Sequence, residues 1–240
     1  MSKPSILSSA ATGDWAAHYQ ACARHVRHPS LRAFYQAGLP APQTPVEDLQ
    51  MVALDVETTG LDPRKDSIVS IGLLPFTLDR IRCAQARYWV IRPGSELSDE
   101  SVTFHHITHS EVRQAPSLAS VLPDLLAAMA GKVAVVHYRP IERQFLDHAM
   151  QRYCAESWQF PVIDTMQLEA RRHRQRRSWL DWLCRRQPAS LRLADSRERY
   201  HLAQYKAHHA LTDALATAEL LQAQLAHHPG DGVACAQLWV

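Results

Sequence analysis

The 240-residue chain reads as an α/β protein. Three β-rich stretches follow one another through short polar links, a strand, helix and strand come next, and a long helix closes the pattern. The first stretch, residues 51–60 (MVALDVETTG), is a short apolar strand that carries Asp55 and Glu57 and ends in a turn. Residues 67–74 and 81–91 are β-rich as well, and the short links predict an antiparallel meander. Leu118, Val121, Leu122, Leu125, Leu126 and Met129 fall at helical spacing, entered through Pro116 and Ser117 and stopped by Gly131. Pro123 inside this segment either kinks the helix or marks its true start. Residues 132–136 form a short buried strand, and a right-handed crossover makes it parallel to an earlier one. Helix, a short strand at residues 161–163, and helix follow, ending in the long helix of residues 209–226.

Residues 1–12 are rich in Ser, Ala and Pro and read as disordered. Asp14 is placed to cap a helical stretch over 15–35 that breaks at Pro29 and restarts at Ser30, and 38–45 is a Pro-rich connector. Residues 1–49 are thus expected to form a helical arm, 50–226 one continuous domain, and 227–240 a loose tail. The chain is 46% apolar, without a run near the ~18 residues a membrane span needs. The start lacks the apolar core of a secretory signal, so the cytoplasm is the default location. Five scattered cysteines, with no C-x-x-C pair, suggest reduced thiols rather than disulfides or a zinc cluster. Net charge is +2, so contact with nucleic acid would need local basic surface. Arg171, Arg172, His173, Arg174, Arg176, Arg177, Arg185 and Arg186 offer one, although most such runs are solvated helix faces.

Successive strand residues alternate faces, so Asp55 and Glu57 point to the same side, roughly 6 to 7 Å apart. Carboxylates in apolar surroundings are costly unless compensated, and a hard divalent cation is the simplest compensation. The residues alone also allow a strand that merely ends at a polar loop. Glu142 falls in the first turn of the helix entered through Pro140, beyond the carboxyl end of the 132–136 strand. Open α/β sheets place ligands at such ends, yet an acid in a first turn is favoured by the helix dipole whatever its role. Asp164, on a strand further from the centre, reads as a helix cap. In the last helix Ala210, Asp213, Ala214 and Thr217 share a stripe of mostly small residues. Such a stripe lets the helix lie close to the sheet and brings Asp213 to Asp55 and Glu57, with His208 on the entering loop. The alternative is a solvent-facing Asp213 and an incidental His208, which leaves the small stripe unexplained.

DxETTG with Asp55 and Glu57, HYRPIERQFLD with Glu142, and HHALTDA with His208 and Asp213 together resemble, in order and spacing, the three motifs of the DEDDh exonucleases. That family is typified by the proofreading epsilon subunit of bacterial DNA polymerase III, and the resemblance covers residues 50–226. It implies a ribonuclease H-like fold, a five-stranded mixed sheet with helices on both faces. It further implies two Mg²⁺ or Mn²⁺ ions held by Asp55, Glu57 and Asp213, with Glu142 as the remaining acid and His208 as general base. FHHIT resembles the family's HGIT stretch, so His105 and Ile107 would contact the terminal nucleotide, and Thr58 and Thr59 would lie beside the scissile end. Two departures stand out: Glu142 and Tyr138 occupy places where the family usually has aspartate and asparagine.

The expected activity is metal-dependent 3′-to-5′ hydrolysis of single-stranded or frayed DNA ends, releasing nucleoside monophosphates. The partner is then a nucleic-acid 3′ end. No membrane partner is expected, and no replication or repair partner is evident. Trimming of RNA 3′ ends on the same fold is the alternative. A nucleic-acid-binding module with a degenerate site is a third reading, opposed by competent residues at all five polar positions.

Overall fold

The computed structural model describes residues 14–94, 109–176, 189–206, 208–227 and 232–240. Five strands, β1 (Met51–Thr58), β2 (Ile68–Phe76), β3 (Arg87–Val90), β4 (Val133–Val136) and β5 (Val162–Asp164), form one mixed sheet in the order β3-β2-β1-β4-β5. The first three make the antiparallel meander, and β4 and β5 add in parallel beside β1. The helices are α1 (Trp15–His25), α2 (Pro29–Gln36), α3 (His109–Gln114), α4 (Leu118–Met129), α5 (Pro140–Cys154), α6 (Thr165–Arg176), α7 (Leu193–Glu198), α8 (Ala210–Ala226) and α9 (Cys235–Leu238). The expected fold class, with helices on both sheet faces and a helical arm, is the one found.

Strand alternation divides the core. Val52, Leu54 and Val56 of β1 pack with α1, α2, α4 and α5, whereas Met51 and Ala53 pack with α8 and α9. Asp55 and Glu57 share the parity of Met51 and Ala53, so they lie on the α8 face. The arm is integral to the other layer. Phe34 meets Trp158 at 5.4 Å and Tyr19 meets Tyr35 at 4.9 Å, both edge-on, pairs worth about 0.5–1.5 kcal/mol each beyond their buried area. Glu156 accepts the backbone N–H groups of Arg27 and His28 and so satisfies donors at the start of α2. Asp14 caps α1 by accepting the Ala17 N–H, and Pro29 occupies the first turn of α2.

Three expectations shift. The third β-rich stretch is mostly not strand: Cys83–Gln85 is a 3-10 turn, and only Arg87–Val90 joins the ladder. Residues 82–85 are exposed, so no buried face holds them in the sheet. Pro123 neither breaks nor begins its helix, because Ser117 caps α4 ahead of it. The terminal residues are packed rather than loose. Cys235 and Leu238 are buried, Cys235 and Ala236 donate to the Thr44 and Pro42 carbonyls, and Val240 exchanges backbone hydrogen bonds with Val162 at the sheet edge. Among the described residues no helix is long and apolar enough to cross a membrane. The disorder expected for 1–12 lies outside the described residues.

Candidate active site

The site forms where β1 ends beneath the start of α8. Asp55 pairs with Gly72 and Glu57 with Ser70 across β1 and β2, and a register shift follows between Glu57 and Thr58. Gly72 sets the height of α8. A Cβ there would stand 2.3 Å from the Ala210 carbonyl and 2.4 Å from the Leu211 nitrogen, so the helix rests on bare strand backbone. The buried stripe of Ala210, Ala214, Thr217 and Ala218 continues that close approach.

Asp213, in the first turn of α8, therefore comes down beside β1. Its Oδ2 accepts the His208 N–H at 2.9 Å, which pins a residue held at φ +69°. Ligand atoms of Glu57, His208 and Asp213 all lie within 4.8 Å of one another. Burial, and then the charges of Glu57, Glu142 and Asp213, push the Asp55 carboxyl well above the usual carboxylate range. Asp213 is raised by burial and by Glu57, with the His208 N–H pulling the other way.

Glu142 is the third residue of α5 and only 2% exposed. Burial raises its carboxyl well above normal, its own backbone N–H offsets this in part, and Asp164 adds to it. Its Oε2 has no hydrogen-bond partner among the described residues. An orphaned buried carboxylate oxygen beside crowded acids, in a set of hard oxygen donors and one imidazole, fits a divalent cation.

Asp164 has a different task. It accepts from the Met166 and Gln167 N–H groups, capping α6, and from the Tyr138 and Arg139 N–H groups ahead of α5. His137 is a strut between Thr165 and the Leu191 carbonyl, and burial lowers its pKa. The Leu191 carbonyl offers only an acceptor, so Nε2 donates to it, while the Thr165 hydroxyl donates to the Val136 carbonyl at 3.0 Å.

The hydroxyls of Thr58 and Thr59 serve the turn that leaves β1. Thr58 donates to the Gly60 carbonyl at 2.6 Å, while Thr59 bonds Asp66 and accepts the Ser67 N–H. Gly60 permits this closure, since a Cβ there would stand 2.5 Å from the Asp66 carboxylate. Leu61, at the tip, is 80% exposed. His105 and Ile107 lie outside the described residues, as do Arg177, Arg185 and Arg186. Of the basic run, Arg171 donates to the Gln237 carbonyl and Arg172 to the Tyr200 hydroxyl, so both are held by protein groups.

Two arrangements escaped the sequence. His209 caps α8 through Nδ1, which accepts the Thr212 N–H, and its ring stacks on Tyr88 at 4.6 Å. Arg197, buried in the last turn of α7, donates to the Ala216 and Ala203 carbonyls and pairs with Glu219 at 2.7 Å. Its guanidinium covers the Tyr205 ring, whose hydroxyl also donates to Glu219. The loop leading to His208 is thereby latched to α8. Histidine is a poor cap signal and a lone arginine a poor latch signal; only a long-range partner identifies either.

Residues 52–221 match the RNase_T exonuclease family. The chain is 29% identical over 174 residues to a PolC-type DNA polymerase III of Thermotoga petrophila, covering 72% of this chain and 12% of that protein. It is 26% identical over 146 residues to the DNA polymerase III epsilon subunit of Rickettsia prowazekii, covering 59% and 63%. The matched stretch is thus less than two thirds of either relative. In fold it resembles the nuclease domain of 3′hExo, a DEDDh family member, bound to rAMP, with TM-score 0.60 and 15% identity over 74% of this chain and 92% of that one. Exonuclease X in complex with 5′ overhanging duplex DNA gives TM-score 0.58 and 20% identity over 78% and 98%. The family match covers most of the chain, and the relatives and the shared five-stranded fold agree with it: the chain belongs to the RNase_T exonuclease family.

Proposed function

We propose that the chain removes nucleotides from single-stranded or frayed DNA 3′ ends and releases nucleoside monophosphates, using two Mg²⁺ or Mn²⁺ ions. The observation that carries this is the meeting of Glu57, Asp213 and His208 within 4.8 Å, with Asp55 and the orphaned Glu142 closing the acidic set. Asp55, Glu57, Asp213 and Glu142 would hold the ions, which supply water activation and charge stabilisation in an in-line displacement. His208 is exposed and fixed through its backbone by Asp213. Its imidazole, within 4.8 Å of the Glu57 and Asp213 carboxylates, would take the proton of the attacking water. Glutamate at 142 reaches a methylene further than aspartate, so its distance to an ion or its water bridge would differ.

DNA is favoured because the relatives by sequence are DNA polymerase III proteins. RNA is the second reading, motivated by the rAMP-bound neighbour in fold. Matched 5′-labelled DNA and RNA oligonucleotides, single- and double-stranded, incubated with Mg²⁺, Mn²⁺ or EDTA, separate the two. Stepwise ladders on DNA in either metal and none in EDTA are expected. Ladders confined to RNA would replace the substrate, and ladders in EDTA would remove the metal mechanism.

A further inference from the structure

Tyr138 leaves β4 with φ +87°, a region that side chains other than Gly, Asn and Asp rarely adopt. The conformation is imposed from outside. Asp164 grips the N–H groups of Tyr138 and Arg139 at 3.2 and 3.1 Å, while the Tyr138 carbonyl accepts the Ile141 N–H at 3.2 Å. Glycine would satisfy that backbone at lower strain. What tyrosine adds is a ring. It is 46% exposed, and neither ring nor hydroxyl has a hydrogen-bond or ring partner among the described residues. Leu61 and Tyr138, two of the exposed large apolar side chains, stand just past the carboxyl ends of the adjacent parallel strands β1 and β4. The acidic site opens at those same ends.

Backbone strain that the surroundings over-determine, at the rim of a site, is characteristic of functional positions. Aromatic rings presented beside a nucleic-acid site bind by stacking, which any base accepts because every base has a π face. Building on the exonuclease reading, we propose that Tyr138 is a stacking platform for a nucleobase of the substrate strand, a subsite bordering the acidic centre.

The test uses the full chain with Tyr138→Ala, Tyr138→Phe and Tyr138→Gly, and oligonucleotides carrying 2-aminopurine at successive positions near the 3′ end. Tyr138→Ala and Tyr138→Gly are expected to raise the oligonucleotide KM about 10-fold with kcat nearly unchanged, and to abolish stacking quench at one probe position. Tyr138→Phe restores both. Tyr138→Gly keeps a Tm no lower than the parent's, because the strained backbone is relieved. Unchanged KM and quench in Tyr138→Ala, with the parent digesting normally, would overturn the subsite alone. A clear fall in Tm for Tyr138→Gly would assign the ring a structural task instead. A parent that cuts no strand in any metal would overturn the exonuclease reading, and the subsite with it.

Discussion

At the scale of single residues, the acids oppose one another until something positive arrives. A carboxyl group whose native pKa lies above its unfolded one favours folding below the unfolded value, and that stability is lost as pH rises through the native one. For Asp55, raised well above 3.8, the metal-free protein should lose stability as pH climbs past the ordinary carboxyl range. Asp55→Asn is expected to flatten that slope and raise Tm in EDTA at neutral pH by about 2–4 °C, the shift roughly 1 kcal/mol makes in a chain of this size. It should abolish metal-dependent digestion; retained digestion, or a lower Tm in EDTA, would contradict the crowding. Glu142→Gln is expected to lose most turnover and regain part of it at higher Mn²⁺. A residue serving only the helix dipole would instead cost a few tenths to about 1 kcal/mol of stability. The adjacent histidines divide sharply. His208→Ala should lower turnover on the order of 10²- to 10⁴-fold with substrate binding nearly unchanged, read from initial rates. His209→Ala should be mild on turnover yet cost about 0.5–2 kcal/mol in urea unfolding, because a cap is lost. The paired acids were legible because two carboxylates on one face of an apolar strand are anomalous. The cap at His209 was not, since its stacking partner Tyr88 lies far away in the chain.

Elements carry the geometry that residues use. The small stripe of α8 announced a helix close to the sheet, but the contact point is Gly72, which the β-rich pattern of its strand concealed. Gly72→Ala forces a Cβ to within 2.3 Å of the Ala210 carbonyl, backbone that cannot swing aside. We expect at least about 1–3 kcal/mol of destabilisation together with a fall in kcat, read by chemical unfolding and by initial rates. A variant with parental stability and rate would mean that α8 sits higher than described. Strand order and crossover were legible from link lengths and buried runs. The short β3 was not, because apolar residues within 81–91 continue the β-like pattern across a segment whose middle faces solvent.

Across the whole molecule, distant stretches close the structure. Residues 232–240 bind the 42–46 connector on one side and β5 on the other, although nothing periodic in nine terminal residues announces it. Truncation after Gly232 is expected to cost about 3 kcal/mol or more from the buried side chains alone, measured by urea unfolding, and parental stability would show the segment to be dispensable. Non-local pairings of this kind leave no local pattern, which is why the domain core was readable and its closure was not. The rest of Gly72 against α8 has a wider consequence. Separation between the carboxylates of β1 and the aspartate of α8 is gauged by the thickness of two peptide backbones rather than by any side chain. Side chains elsewhere in the sheet and helices are therefore free to vary without retuning the spacing that a pair of cations requires.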